Sequence, residues 1–389
     1  MKGVNAYLGR NLRQYGILAA LVAIILFFQV LTGGLLLSPN NVASLIQQNA
    51  YVMILAVGMV MVIIGRHIDL SVGSLVGFIG GIIGLLIVNQ GLPWIAVVLI
   101  AVGIGMLVGC WQGFWVAYME IPAFIVTLAG MLIFRGLTVV LVQRTVSGMP
   151  SSFVSIANGS LPPWLGYFQD YDGVTILIGV VAIGGLVLTQ TRARRRAVTA
   201  GRPVKPLGAF LVREGVFAAA IAALTALLAY SAGGTPIVLV IVGLVILVYS
   251  FIMGRTVFGR HVYAVGGNLK AARLSGVDVR KVDFLLFVNM GFLASLAAIV
   301  TTSRAGAAVS TAGNLYEMDA IAAAYIGGAA VSGGIGRVSG AIIGALIMGV
   351  LNMGLSIMAV DSAWQQAIKG LVLLLAVAVD IVGKRRAGA

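Results

Sequence analysis

Uninterrupted apolar runs recur along the chain, and each is long enough to cross a bilayer core of about 30 Å as a helix. Because no water is present at that depth, backbone groups must pair within a helix or around a closed barrel. The runs are continuous and do not alternate with polar residues, so they indicate helices rather than barrel strands. The sequence therefore predicts an all-α polytopic membrane protein.

The low proportion of charged residues supports this class. Only 9% of the 389 residues are charged, whereas soluble proteins carry roughly 25%. We expect a single transmembrane domain over residues 1–389, with about twelve helices. The segment at 319–332 is short for a full crossing and is expected to be broken or re-entrant. The predicted segments are residues 16–37, 43–64, 72–89, 93–118, 123–142, 173–189, 214–232, 236–253, 284–303, 319–332, 338–358 and 363–382.

The positive charges predict the orientation of these helices. Twelve crossings place 21 of the 25 Lys and Arg residues on the side of both termini, and that side is cytoplasmic by the positive-inside rule. The formal net charge of +14 is thus attributed to orientation and not to nucleic-acid binding. The four exceptions are Arg135, Arg144, Arg304 and Lys369. For Arg135 and Lys369 we expect polar neighbours or a snorkelling side chain.

Three polar segments interrupt the apolar pattern. Residues 146–173 form a predicted periplasmic loop, residues 190–213 a cytoplasmic basic linker, and residues 254–283 a cytoplasmic loop. In the first, four aromatic residues recur three to four positions apart after two prolines, which predicts a short interfacial helix. That helix is interpreted as an aromatic anchor, or alternatively as an outer gate or a docking surface. The aromatic residues are Trp164, Tyr167, Phe168 and Tyr171.

The 254–283 loop contains the signature of a very short helix. Asn268 is a favourable N-cap and Gly276 a favourable C-terminal stop. Two turns of helix are marginal alone, so they must pack on something. The pattern fits either a knob that inserts into a groove of a cytoplasmic protein or a connector that lies on the headgroups. The candidate residues are Gly267, Asn268, Lys270, Ala271, Arg273, Leu274, Ser275 and Gly276.

Other polar and glycine-rich motifs suggest either packing or a pathway. Asp69 or Ser71 is expected to cap the helix that follows a cytoplasmic turn, or to line a pathway beside a broken helix. The GxxxG spacing of Gly336, Gly340 and Gly344 predicts close helix packing. Neutral polar and aromatic residues suit an uncharged polyhydroxylated solute, but equally suit interhelical hydrogen bonds. The pathway candidates are Asp69, Ser71, Phe78, Asn49, Trp111, Asn289 and Asn352.

Several functional classes lack their expected residues. The sequence has no phosphate-binding G-x-x-x-x-G-K-[ST] motif, and its one cysteine, Cys110, and two histidines form no metal-binding pattern. We expect no cofactor, no metal and no catalytic site. An ion-coupled carrier for a neutral solute is the alternative, and the acidic residues at the predicted span ends argue against it. A membrane enzyme acting on lipid-linked sugars would need catalytic residues that are not evident.

Four blocks resemble one family in order and over nearly the whole chain. They are HIDLSVGSLVGF (67–78), the 258–282 segment with GGNLKAARLSG, the glycine-rich 317–355 segment, and KGLVLLLAVAVD (369–380). They are similar to the permease subunits of bacterial sugar ABC importers of the ribose/xylose type. The resemblance implies an inner-membrane permease that pairs with a second copy, a cytoplasmic ATP-binding subunit and a periplasmic sugar-binding protein. It also implies that the Gly266–Asp283 segment, within the 254–283 loop, couples the permease to the ATPase.

Two departures from the ribose type affect this comparison. Arg66 and His67 stand where ribose-type members usually carry two glycines, which weakens any pathway role of that turn. The segments at 173–189 and 214–232, with the basic linker between them, resemble an insertion into a ten-span permease. Chains of this length resemble xylose and multiple-sugar permeases, which favours such a substrate.

Overall fold

The computed structural model describes residues 2–204 and 206–388, and nearly all of its ordered elements are helices. A π-helical turn at Leu85–Asn89 continues α3. The helices are α1 (Lys2–Leu31), α2 (Pro39–Ile64), α3 (Val72–Gly84), α4 (Trp94–Ala117), α5 (Ala123–Leu141), α6 (Ser151–Asn158), α7 (Gly173–Thr199), α8 (Leu207–Ala229), α9 (Ile237–Arg255), α10 (Val257–Gly267), α11 (Leu269–Leu274), α12 (Val279–Ala305), α13 (Tyr316–Ile326), α14 (Val338–Ile357) and α15 (Ser362–Gly388).

Nine helices of the described chain are long and apolar enough to cross a membrane. They are α2, α3 with its π-helical turn, α4, α5, α7, α8, α9, α12 and α14. Each of the twelve segments predicted from hydropathy coincides with a helix. The other three predicted segments coincide with α1, α13 and α15. Helix α1 has a shorter apolar part at Gly16–Leu31, and α13 has only 11 residues.

The chain divides into two compact units. One contains residues 1–36, 45–158 and 238–389, and the other contains residues 37–44 and 159–237. In the larger unit, α12 is buried along most of its length and packs on α3 and α4. The contact with α4 is possible because Gly105 and Gly291 bring the two backbones together. A Cβ atom on Gly105 would overlap the carbonyl of Gly291.

In the smaller unit, the part of the predicted periplasmic loop that contains the aromatic residues differs from the sequence expectation. The structure forms a small hairpin of β2 (Tyr167–Phe168) and β3 (Tyr171–Asp172), so the predicted interfacial helix is wrong. Asp172 then caps α7 by accepting a hydrogen bond from the Thr175 backbone amide at 2.9 Å. The basic segment is also more helical than a linker, because α7 continues to Thr199 and α8 begins at Leu207.

The segment predicted at 319–332 is helical only to Ile326, where α13 ends, and residues 327–332 form a turn before α14. The chain that leads to α13 is irregular as well. Strand β4 (Ala307–Ala308) pairs with β1 (Val146–Ser147), and the chain then runs without regular structure to α13. Its small residues lie along α3, since a Cβ atom on Gly84 would overlap Ala308 and one on Gly73 would lie against Gly313. Residues 309–315, which precede the predicted segment, form turns, and the helix of this region begins at Tyr316.

Helix α13 and the turn after it contact α14 through glycine residues. An added Cβ at Gly340 would overlap the carbonyl of Gly327, and one at Gly344 would overlap the carbonyl of Ala323. Helices α13 and α14 therefore touch backbone to backbone, as the GxxxG spacing predicts. Gly336 belongs to a different contact, because its added Cβ would lie 2.9 Å from the Ile64 side chain.

The α13–α14 contact predicts the effect of one methyl group. Gly344→Ala should lower the free energy of unfolding by about 1–3 kcal/mol, because the new Cβ must push the two helices apart. Gly243→Ala in α9 is the matched control, since an added Cβ there meets nothing within 4 Å. Unfolding of both purified variants in detergent measures the difference. Equal stability of the two variants would contradict the close contact.

Candidate functional site

The loop between α9 and α12 is built from two short helices with strong local signals. Asn268 ends α10 and caps α11, where its side chain accepts a hydrogen bond from the Ala271 amide at 3.0 Å. At the other end, Gly276 adopts a φ of 81°, which few other residues tolerate. The Val277 amide donates to the Ala272 carbonyl and the Gly276 amide to the Arg273 carbonyl, both at 3.1 Å. This pair of hydrogen bonds forms a Schellman motif. Both predicted helix ends are therefore confirmed.

The short helix α11 presents an exposed apolar tip. Its anchor is Ala272, which is 5% exposed, whereas Leu274 is 90% exposed. A leucine so exposed on a capped helix has no packing role in the described chain. The remaining candidate residues of this segment are also exposed: Gly267, Asn268, Lys270, Ala271, Arg273, Ser275 and Gly276.

Helix α10 is attached to two other elements at its C-terminal end. Gly266 lies directly on the Ile64 carbonyl, the last residue of α2, because an added Cβ would overlap it. The same carbonyl accepts a hydrogen bond from the Gly334 amide at 2.9 Å, and the Tyr263 hydroxyl donates to the Gly336 carbonyl at 2.9 Å. These contacts connect α10 to α2 and to the turn before α14. Sequence reasoning missed them, although the paired glycines 266 and 267 were a signal of close approach.

A cavity of about 480 Å³ lies beside α11, between the 65–68 turn, the loop after α4 and the start of α12. His67 Nε2 and Asp283 Oδ1 lie 3.1 Å apart at its edge, although not in hydrogen-bonding alignment. Arg280 donates to Glu120 at 2.9 Å. That hydrogen bond and the positive charge of Arg280 hold the pKa of the exposed Glu120 carboxyl below its usual value.

The turn before α3 contains a buried polar network. Asp69 Oδ1 accepts hydrogen bonds from the Ser71 amide at 2.8 Å and the Ser71 hydroxyl at 2.7 Å, and Gln112 of α4 donates to that hydroxyl at 2.7 Å. Burial raises the pKa of Asp69 to about 6, and the bonds from Ser71 act in the opposite direction. The network connects the turn to α4.

The expected capping role of these two residues is wrong. Ser71 occupies the N-cap position of α3, but its side chain makes no capping hydrogen bond. Asp69 bonds to Ser71 and not to an amide of the first helical turn. The preceding Arg66 has a φ of 73°, a conformation that favours glycine.

The other pathway candidates fall into separate contacts. Asn352 donates to Asn49 at 3.3 Å, while Asn289 accepts a hydrogen bond from the Tyr249 hydroxyl. The rings of Phe78 and Trp111 both pack on Phe134, with centroids 5.4 and 6.2 Å away. The structure therefore does not bring the seven candidates into one cavity, and each has a partner within the protein.

A buried ion pair that the sequence did not reveal lies at the start of α13. Lys369 of α15 lies 3.1 Å from Asp319, whose side chain is 4% exposed. The Tyr51 hydroxyl donates to the same carboxylate at 2.9 Å, and the ring of Tyr51 stacks on Tyr316. Lys369 therefore does not snorkel. Arg135 likewise donates to a protein group, the Ala312 carbonyl, at 2.9 Å, which confirms the expected polar neighbour.

This ion pair lies halfway along α2. Tyr51 precedes the end of α2 at Ile64 by thirteen residues, or about 20 Å of helix. The negative charge of Asp319 in the first turn of α13 also complements the helix dipole. The assumption that acidic residues lie only at span ends is thus incomplete. No group of three or more metal-ligating side chains occurs within the described residues.

The sequence also matches a family of transport proteins. Residues 41–377 match the family described as the permease component of the branched-chain amino acid transport system. The chain belongs to this permease family. A multi-pass membrane protein agrees with the nine apolar helices of the described chain.

Two kinds of sugar permease are similar to this permease. It is 40% identical to the xylose transport system permease protein of Escherichia coli, over 99% of this chain and 95% of that protein. The corresponding protein of Haemophilus influenzae is 39% identical, over 97% and 98% of the two chains. The ribose import permease protein of Escherichia coli is 34% identical, over 88% and 85%. No solved structure matches significantly.

The raised pKa of Asp69 predicts a pH dependence. Its value of about 6 exceeds the ordinary 3.8, so the folded protein binds this proton more tightly than the unfolded chain. The resulting stabilisation is complete below about pH 4 and is lost as the pH rises through 6, a change on the order of 3 kcal/mol. Asp69→Asn keeps the acceptor oxygen and should abolish this dependence. Unfolding between pH 4 and 8 compares the two proteins.

The control for this measurement is Asp170→Asn, which replaces an exposed aspartate. It should show the pH dependence of the unmodified permease. Parallel stability curves for the Asp69 variant and the unmodified protein would contradict the assigned burial.

The ion pair predicts a second stability effect. Lys369→Met leaves the Asp319 carboxylate buried without its cation and should lower the free energy of unfolding by about 3–5 kcal/mol. The double variant Lys369→Met with Asp319→Asn removes both charges and should recover most of that loss. Thermal unfolding of the purified variants tests this. Additive losses in the double variant would argue against a direct interaction.

Proposed function

We propose that this permease is the membrane-spanning subunit of an ATP-driven sugar importer, with xylose or a related monosaccharide as its substrate. The observation that carries the proposal is the 40% identity with a xylose permease over 99% of the chain. The ribose permease, whose name also specifies a pentose, is similar as well, which supports a pentose substrate. Its identity to this chain is lower, at 34%, which favours xylose. The permease contributes the translocation pathway and has no ATPase site of its own.

The proposed topology has twelve membrane crossings in the inner membrane, with both termini in the cytoplasm. The helices found at all twelve apolar segments support the number of crossings. The placement of 21 of the 25 basic residues supports the orientation. In this topology, the broken segment that ends in α13 counts as one crossing.

The proposed contact with the ATPase is made by α11. In the assigned orientation, this helix lies on the cytoplasmic side and exposes Leu274. Capping at Asn268 and the Schellman motif at Gly276 hold its two turns in shape before any partner binds. Such a helix suits insertion into a groove of the ATP-binding subunit. The cavity beside α11 gives the helix room to shift.

Movement of α11 would then reach the membrane helices through α10. Gly266 presses on the end of α2, and Tyr263 is bonded to the turn before α14. Because these contacts involve backbone atoms at van der Waals distance, α10 cannot move without displacing its neighbours. This mechanical connection supports the coupling role.

Selection of the sugar would reside mainly in a periplasmic binding protein. The seven pathway candidates are paired with other protein groups, so they do not form a ready-made sugar site. A second copy of the permease would complete the pathway. The wide exposed apolar surfaces of α4 and α5 support both a lipid boundary and such a partner.

Substitution at the tip of α11 tests the proposal. Leu274→Glu, and likewise Arg273→Glu, should reduce xylose uptake to background, because a carboxylate in the docking groove would lose its water without gaining a partner. Uptake of labelled xylose is measured in cells that express the permease, the ATP-binding subunit and the binding protein. The amount of permease in the membrane should stay unchanged.

Leu274→Met is the matched control, and it should retain most of the uptake because it keeps an apolar tip of similar size. Normal uptake by Leu274→Glu would refute the coupling role. Uptake that needs a proton gradient but no ATP-binding subunit would instead favour an ion-coupled carrier.

A further inference from the structure

The basic end of the α7–α8 hairpin has no role in the proposed transport cycle. We define it as the described residues between 189 and 214. The segment 189–214 carries seven Arg and Lys residues and a single acidic residue, Glu214. That acid is already paired, because Arg213 donates to it at 2.8 Å. The seven basic residues and the one acidic residue give this segment a formal net charge of +6.

One face of α7 changes abruptly from apolar to basic. Leu177, Val181 and Leu188 are all exposed, and they recur at helical spacing along one side of α7. The same side continues with Arg192 and Arg195, which are exposed as well. The change occurs within one turn, or about 6 Å of helix.

The length of the apolar stretch places this change at a membrane surface. Residues 173–188 of α7 span about 24 Å as a helix, which is close to the thickness of the hydrocarbon core. The apolar side chains that face outward on this helix therefore suit lipid tails. The arginines that follow on the same side would then lie at the level of the lipid phosphates.

The adjoining part of α8 has the same character. Leu207 and Leu211 are exposed at the start of α8, next to the exposed Arg202 in the connection. Exposed leucines among arginines suit an interface between hydrocarbon and headgroups better than a surface that faces another soluble protein.

A buried aromatic ring orders the two helix ends. Phe210 lies between Arg194 and Arg213, whose guanidinium carbons are 5.0 and 5.8 Å from the ring centre. Arg213 also donates to Gln190 of α7 at 3.1 Å. These contacts connect α7 to α8 at the basic end through Arg194 and Arg213. The side chains of Arg192, Arg195 and Arg196 take no part in them and are exposed.

We propose that the basic end of the hairpin binds the headgroups of anionic phospholipids. The charge complementarity, the outward arginines and the apolar stripe that leads to them all point to this one partner. Phosphate oxygens accept hydrogen bonds from guanidinium groups, and the interaction is strengthened by opposite charge. The proposal does not depend on the transported substrate.

Lipid binding to the purified full-length permease in detergent tests this proposal. Dioleoylphosphatidylglycerol should bind more tightly than dioleoylphosphatidylcholine, with the preference weakening at high salt. Replacing Arg192, Arg195 and Arg196 by glutamine should weaken phosphatidylglycerol binding on the order of 100-fold, since each basic residue contributes about a five-fold factor. Native mass spectrometry measures the bound lipid.

Two further variants make the result specific. Replacing Arg255, Arg260 and Lys270 by glutamine removes three exposed charges elsewhere and should leave the lipid preference intact. Replacing the three hairpin arginines by lysine should retain most of the binding and exclude a folding defect. Equal losses in both glutamine variants, or an unchanged preference in the hairpin variant, would overturn the proposal. So would a hairpin variant that binds lipid normally but no longer binds the ATP-binding subunit.

Discussion

The arrangement of α2, α10 and the turn before α14 in the larger unit depends on the backbone carbonyl of Ile64. It ends α2, accepts the Gly334 amide and supports Gly266 of α10. The last carbonyls of a helix lack partners within the helix and must be satisfied elsewhere. The Ile64 carbonyl is satisfied by the Gly334 amide. The same carbonyl also sets the distance between α2, α10 and the turn before α14. Side chains at Gly266 or Gly334 would separate them, so both positions require glycine for space. Gly334 also requires it for its φ of 72°.

The polar groups of the interior follow a related constraint. Asp319 forms an ion pair with Lys369 and accepts a hydrogen bond from Tyr51, and Asp69 accepts hydrogen bonds from Ser71. A buried polar group without a partner lowers the free energy of unfolding. Pairing removes most of that loss, so such groups are tolerated in an apolar bundle. Side chains that are paired in this way offer few attachment points to a passing solute. That property agrees with a pathway that does not hold its substrate tightly.

Local features of the fold were predictable from the sequence, and distant contacts were not. Hydropathy located the apolar helices, and Asn268 and Gly276 defined both ends of α11, because such signals act within a few residues. Lys369 and Asp319 are 50 residues apart, and nothing local indicates their pairing. The aromatic spacing after Pro163 suggested a helix, but positive φ angles at Gly166 and Gln169 reverse the chain into a hairpin.

The broken segment between β4 and α13 has a consequence for biosynthesis. Residues 309–315 form turns and not a helix, so they leave backbone groups unpaired and cannot enter hydrocarbon as an independent unit. Its small residues lie on α3, and the Ala312 carbonyl receives the guanidinium of Arg135 from α5. Both helices precede the segment in the chain and leave the ribosome first. In the proposed topology, the earlier part of the permease would therefore act as an internal scaffold for this segment when it is translated.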